Sequence, residues 1–229
     1  GGLSLLDRQL STFKSLGITD ITVIGGYRAE SITPRGFQMI VNPDFASSNM
    51  VRTLFYGRDL MVGDSDLIIA YGDIIYEPKV IRALLASDGP LSVVVDREWR
   101  RFWELRMADP RSDAETMKID SQGLITELGK TPGSYEEIQG QYIGLIKVRQ
   151  DSVVDLRQLY DAMDPAGSYD GKTYKQMYMT SFIQHAIDSG WPVGAVLIAN
   201  GWLEVDTYAE LQLYRRMETE GTLAEFIQL

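Results

Sequence analysis

The sequence predicts an α/β fold: a Rossmann-like three-layer sandwich with a mostly parallel sheet and a small antiparallel insertion. Three observations carry that expectation. Between Leu3 and Val95, β-rich or apolar runs alternate with amphipathic stretches, the spacing of βαβ units with right-handed crossovers. The run Leu67–Ala70 is apolar without alternation, as in a strand covered on both faces. From Met117 to Leu128 the pattern changes to two short strands around a turn.

In order along the chain, Leu3–Leu16 reads as a helix with Leu6, Leu10 and Phe13 on one stripe and Gly17 as its stop. Ile18–Ile24 is a strand ending at Gly25-Gly26-Tyr27, and Phe37–Val41 is a second one ending at Asn42-Pro43. A helix from Asn49 to Met61 follows, led in by three capping candidates, Ser47, Ser48 and Asn49. The strand Asp66–Tyr71 precedes a helix opened by Pro78 and running to Leu85, and Leu91–Val95 is the next strand.

In the second half, Met117–Asp120 and Leu124–Leu128 form the hairpin around Gly123, and Tyr142–Val148 is a further strand packed on the same sheet. Helices are expected at Ser152–Met163 and Tyr174–Ser189, with a polar loop around Pro165–Gly171 between them. Val193–Ile198 and Trp202–Asp206 read as strands, and Thr207–Met217 closes as a helix. No repeat, low-complexity segment or flexible linker divides residues 1–229, which read as one domain.

Composition narrows the chemistry. The 229 residues contain no cysteine, which excludes disulfides, thiolate metal sites and a cysteine nucleophile. The single histidine, His185, lies within a helical pattern beside Phe182, Ile183 and Ala186, so a Ser-His-Asp relay is not expected. A net charge of -10 argues against a nucleic-acid or anionic-membrane surface. An anionic small substrate remains compatible when a divalent cation and a few placed Lys or Arg offset the repulsion. No apolar run reaches the ~18 residues of a membrane span and no signal peptide opens the sequence, so the cytoplasm is the expected compartment. The oligomeric state is left open.

The stretch Tyr71-Gly72-Asp73 delivers a carboxylate just past the C-terminal end of an apolar strand, where open α/β sheets bind ligands. A helix-capping Asp in an ordinary loop is the competing reading. Further on, Gly17–Tyr27, Asn42–Met50, Gly140–Leu145 and Trp202–Asp206 add motifs in a fixed order. Together these five segments resemble the nucleotidyltransferases of the sugar-nucleotide pyrophosphorylase superfamily. Within it they are most similar to the phosphocholine cytidylyltransferases and their relatives that act on small phospho-alcohols and phosphonates. The start departs from that pattern. Gly1–Leu6 resembles the residues that follow the family's first strand and its glycine-rich triphosphate loop, so both are lacking from the sequence, and the intact later motifs point to a trimmed chain.

The resemblance implies magnesium-dependent transfer from CTP to a small anionic acceptor such as phosphocholine or 2-aminoethylphosphonate, with release of pyrophosphate. The alternatives are a sugar-1-phosphate nucleotidyltransferase and a non-catalytic nucleotide-binding domain. It implies Asp73 and Asp206 as Mg²⁺ ligands, with Glu204 sharing the role, and Lys130 against the acceptor phosphate. For Asp206 the competing reading is the N-cap of the closing helix, and for Lys130 a solvated loop lysine. Nucleotide contacts are implied for Gly25, Gly26, Tyr27, Asn42, Ser48, Asn49 and Gly72, and acceptor contacts for Glu115, Gln141, Tyr142 and Gly144. Asp113 and Glu115 are candidates for an amine, with a solvent-facing pair as the competing reading. Trp99 and Trp103, four residues apart, suggest either an aromatic box for a quaternary ammonium or core packing. Arg97, Arg100, Arg101 and Arg106 suggest attraction of an anion or a paired helix face.

Overall fold

The leucine stripe of the first helix and the apolar strands meet as expected in the computed structural model, which describes residues 2–229. Helix α1 (Leu5–Ser15) is capped by the Ser4 hydroxyl, which accepts from the Asp7 amide, and buries Gln9, Leu10 and Phe13. Strands β1 (Thr22–Gly25) and β2 (Gln38–Val41) pair in parallel. Helix α2 (Met50–Leu54) is shorter than expected, because its second half tightens into a 3₁₀ segment, Phe55–Leu60. Strand β3 (Leu67–Ala70) follows. A short strand that the sequence did not signal, β4 (Ile74–Tyr76), lies just beyond Asp73. Then come α3 (Pro78–Leu85), β5 (Leu91–Asp96) and α4 (Trp99–Arg106).

The hairpin is β6 (Met117–Ile119) with β7 (Ile125–Leu128), and β8 (Gln141–Val148) is the long strand after it. Helix α5 (Val153–Ala162) precedes a two-residue hairpin, β9 (Ser168–Tyr169) and β10 (Lys172–Thr173), in the stretch expected to be an irregular loop. Helix α6 (Met179–Asp188), β11 (Val193–Ile198), β12 (Trp202–Glu204) and α7 (Tyr208–Glu220) complete the order.

The central sheet runs β11-β5-β8-β3. β11 and β5 are parallel, while β8 is reversed and pairs antiparallel with both β5 and β3. The antiparallel half of the chain thus enters the sheet itself and sits beside the strand that leads to Asp73. Along β5 and β8 the side chains alternate. Val94, Ile143 and Leu145 face a core built with α1, α3, α4 and α7, and Val93, Val95, Ile146 and Val148 face a second one built with α2, α5 and α6. Two apolar cores on opposite faces of one sheet are the three layers the sequence predicts.

Lys147 is the exception in β8: it is buried, and its ammonium binds the carbonyls of Leu85 and Ser87 at 3.0 and 2.7 Å and Asp66 at 3.1 Å, so it caps the end of α3. Among the described residues β1 pairs only with β2, and β3 pairs only with β8, leaving each with one unpaired edge and half-buried along its length. No helix among them is long and apolar enough to cross a membrane.

Candidate active site

Asp73 owes its place to two backbone connections. β4 pairs antiparallel with β12 in the register Ile74 to Glu204, and the Val205 amide donates to the Asp73 carbonyl at 2.9 Å. A carboxylate from residue 73 and another from residue 206 therefore meet, although 133 positions separate them. Asp206 does not cap α7. Thr207 is the N-cap, and its side chain and that of Glu210 form a reciprocal capping box, which leaves the Asp206 carboxylate free for other partners.

One partner is Arg106, at the end of α4. Its guanidinium has a side-chain exposure of 2 % and binds three carboxylates: Nη1 to Glu204 at 2.6 Å, Nη2 to Asp206 at 2.6 Å and Nε to Glu210 at 2.7 Å. It also lies 5.6 Å from the Trp103 ring centre and 5.2 Å from that of Phe102. Burial works against its charge, but Glu204 and Glu210 outweigh burial and hold the guanidinium more firmly protonated than usual. Glu204 is pushed up to about 7, first by burial and then by Asp206 and Asp73, with Arg106 pulling the other way. Asp73 is raised by burial and by Asp206, with its own backbone amide and Arg106 lowering it.

Asp73 Oδ1 is buried and has no hydrogen-bond partner among the described residues. A buried carboxylate oxygen left unpaired is costly and calls for a cation. Among the described residues no three acidic or histidine side chains form a complete metal cage. That suits Mg²⁺, which usually takes one or two carboxylates and completes its shell with phosphate oxygens and water. Asp73 and Asp206 fit such an ion. Glu204, like Asp206, gives one oxygen to Arg106 at 2.6 Å.

The acceptor candidates cluster around Glu115, which is largely buried. Gln141 holds the Glu115 backbone: its Oε1 accepts from the Glu115 amide at 3.0 Å and its Nε2 donates to the Glu115 carbonyl at 2.6 Å. Thr180 on α6 donates to Glu115 Oε1 at 3.3 Å. Burial pushes Glu115 up to about 7, with Asp113 and Asp170 adding to it and Thr180 opposing. Among the described residues no lysine or arginine pairs with Asp113, Glu115 or Asp170. The Tyr142 ring meets that of Tyr71 edge-on at 5.7 Å, and its hydroxyl is buried without a partner. Gly144 has φ +82°, and a Cβ there would stand 2.7 Å from the Tyr71 ring, so only glycine lets the two strands close at this point.

No protein-family model matches the chain. It is 34% identical over 220 residues to the CTP:phosphoglutamine cytidylyltransferase of Campylobacter jejuni, a match that covers 91% of this chain and 86% of that protein. It belongs to the cytidylyltransferases. A second relative, the CMP-5'-(3-aminopropyl)phosphonate synthase of Streptomyces rubellomurinus, is 23% identical over 134 residues, 55% of this chain and 19% of that longer protein. Among solved structures, the inositol-1-phosphate CTP transferase from T. maritima superposes with a TM-score of 0.68 at 14% identity, covering 100% of this chain and 86% of that one. A structure assigned as a glucose-1-phosphate thymidylyltransferase of Bacillus anthracis gives 0.66 at 14% identity, with coverages of 97% and 84%. The last two likenesses concern the fold alone, a nucleotidyltransferase α/β architecture.

The other predicted positions of this cytidylyltransferase divide between scaffold and surface. Asn42 is fully buried and spends its side chain on Ser48, Thr53 and the Asp44 amide, shaping its loop from within. Asn49 caps α2 by accepting from the Met50 amide. Tyr27, with an exposure of 75 %, leans on Phe45 at 6.1 Å beside Gly26, and the Asn42 amide donates to the Gly25 carbonyl. Gly72 is exposed, and a Cβ added there would meet nothing within 4 Å. Lys130 is half-exposed and pairs with Glu127 at 3.1 Å.

Trp99 and Trp103 follow the core-packing alternative: both are core residues, edge-on to each other at 5.8 Å, and the Trp103 indole donates to Asp113. The arginine run also resolves into pairs, Arg100 with Glu104 and Arg101 with Glu225, besides the Arg106 clamp. His185 lies edge-on to Tyr169. Arg106 as a clamp and Thr180 as a partner of Glu115 are the site residues that sequence reasoning missed. The partners of Arg106 lie about a hundred positions away, so no local spacing marks it.

Proposed function

We propose that this cytidylyltransferase transfers CMP from CTP to a small phosphate or phosphonate acceptor that carries an amine, in a Mg²⁺-dependent reaction that releases pyrophosphate. The observation that carries the proposal is the buried, unpartnered Asp73 oxygen beside Asp206, in a chain 34% identical to a CTP-using relative. The names of both relatives describe acceptors with an amino group, phosphoglutamine and 3-aminopropylphosphonate. Glu115, a carboxylate with no cationic partner, supplies the complementary charge.

In the reaction an acceptor oxygen bonds to the α-phosphorus of CTP, and the bond from that phosphorus to the bridging oxygen of pyrophosphate breaks. The acceptor oxygen is already anionic near neutral pH, so no general base is needed. That agrees with a site that has carboxylates and one lysine candidate, Lys130, but no histidine. Asp73 and Asp206 would hold the ion, which neutralises phosphate charge when bound. Arg106 keeps Asp206 in place. Glu115, set by Gln141 and Thr180, orients the acceptor through its ammonium, and Lys130 stands in the adjoining loop to meet its phosphate. Positioning and charge neutralisation account for most of the rate in such transfers.

Pyrophosphate release from CTP, UTP, ATP and GTP against a panel of amino-alkyl phosphates, amino-alkylphosphonates, phosphoglutamine and hexose-1-phosphates tests the proposal. Turnover with CTP and an amine-bearing acceptor is the expected result. Turnover confined to hexose-1-phosphates overturns it.

A further inference from the structure

We propose that Gln9, on α1, is a positioning residue for Asp73: it fixes the bend that presents this carboxylate. The proposal rests on the reading of Asp73 as a metal-facing group. Gln9 is buried, at an exposure of 7 %, and all its polar atoms are used. Its Nε2 donates to the carbonyl of Tyr71 at 2.8 Å and to that of Ile74 at 2.7 Å, and its Oε1 accepts from the Tyr76 hydroxyl at 3.3 Å. Tyr71 and Ile74 are the immediate flanks of Gly72-Asp73.

The bend has few other supports. Val205 holds the Asp73 carbonyl, and the Tyr71 amide donates to Gly144, whereas nothing packs on the side of Gly72 that a Cβ would occupy. One side-chain amide with two N–H groups thus spans the bend and pins both its ends to α1. An apolar residue of the same length could fill the space beside Leu10 and Phe13, but it would leave two carbonyls unpaired and the bend free to relax. A polar side chain in the apolar stripe of a helix is costly to keep there without such a use. Groups that orient a metal-facing carboxylate typically change metal affinity or activity by ~10–100-fold when removed.

The test is Mn²⁺ binding to the whole protein, followed by electron paramagnetic resonance in the presence of α,β-methylene-CTP. It compares wild type, Gln9→Met, Asp73→Asn and the double variant, each first checked for a native circular-dichroism spectrum. Gln9→Met is expected to weaken Mn²⁺ binding about tenfold. The double variant is expected to bind no more weakly than Asp73→Asn alone, the non-additivity of a residue that acts through its partner. A purely structural glutamine would lower the melting temperature without that coupling. Wild-type Mn²⁺ affinity in Gln9→Met, or additive losses in the double variant, overturns the proposal. If Gln9→Met does not fold, Gln9→Glu keeps the acceptor for Tyr76, removes the donor and is read in the same way; failure of both to fold makes Gln9 a core residue and also overturns the proposal. An Asp73→Asn protein with wild-type affinity removes the Asp73 reading itself, a result distinct from silence at Gln9 alone.

Discussion

Two acidic groups lie in this molecule, and they are built on opposite principles. At one, Glu204, Asp206 and Glu210 surround the buried guanidinium of Arg106, so three negative charges share a resident positive one. At the other, Glu115 is as strongly shifted as Glu204 and has Asp113 and Asp170 near it, yet no ion pair among the described residues offsets it. A carboxylate with a permanent partner is held in one place, as a scaffold must be. One without a partner has no resident cation to stabilise its charged form, and a cation that comes and goes can supply one. Under the proposed function, the contrast separates the part of the site that holds its shape from the part that would select an acceptor.

Removing the resident cation should have the largest effect on stability. Arg106→Met leaves three carboxylates crowded around a buried apolar chain, and a broken buried pair typically costs about 3–5 kcal/mol. A urea titration should show that loss; a midpoint within error of wild type would mean that the clamp is incidental. Next, Asp73→Asn should lower turnover by about 10²-fold or more with little change in the urea midpoint. Near-normal turnover would refute its role.

Glu115→Gln should raise KM for amine-bearing acceptors about tenfold, the scale of a charge-assisted contact, and leave KM for CTP unchanged. It should also alter the pH dependence of stability. Glu115 titrates near 7 in the fold, above its ordinary value of 4.5, so the folded protein binds more protons between these values. The contribution of Glu115 is therefore most favourable below about pH 4.5 and is lost as pH rises towards 7. Urea midpoints at pH 5.5 and 7.5 should lie closer together in Glu115→Gln than in wild type. An unchanged spacing would mean that the burial of Glu115 is not felt. The smallest stability effect is expected at Lys130: its exposed pair with Glu127 is worth at most about 1 kcal/mol. Lys130→Ala should thus melt almost as wild type does, so any large fall in turnover would report contact with the acceptor phosphate.

How legible these features are in the sequence follows from how local their causes are. The helices and strands rest on periodicity and caps within a few residues, and Gly17 and Pro78 mark helix ends as expected. Thr207 shows the limit of such reasoning, because the competing reading gave its capping role to Asp206, one residue earlier. Strand β4 is only three residues long and exists because β12 pairs with it, a contact no local pattern announces. Asp73 and Asp206 stand out through the resemblance. Arg106 was one arginine among several, and its meaning depends on three carboxylates from a distant segment. Gln9 left a fainter trace, a polar residue next to Leu10 at the centre of an apolar stripe.

Trp103 lies against Trp99, Phe102 and Trp202, and Arg106 sits against Trp103 and Phe102 while holding Asp206. Three of the four tryptophans of the protein thus share one environment, and that environment is in electrical contact with the acidic face of the site. The protein carries its own optical probe. A cation held by Asp73 and Asp206, as proposed, would change the field that the indole rings feel through Arg106, so ultraviolet emission is expected to follow site occupancy without a label.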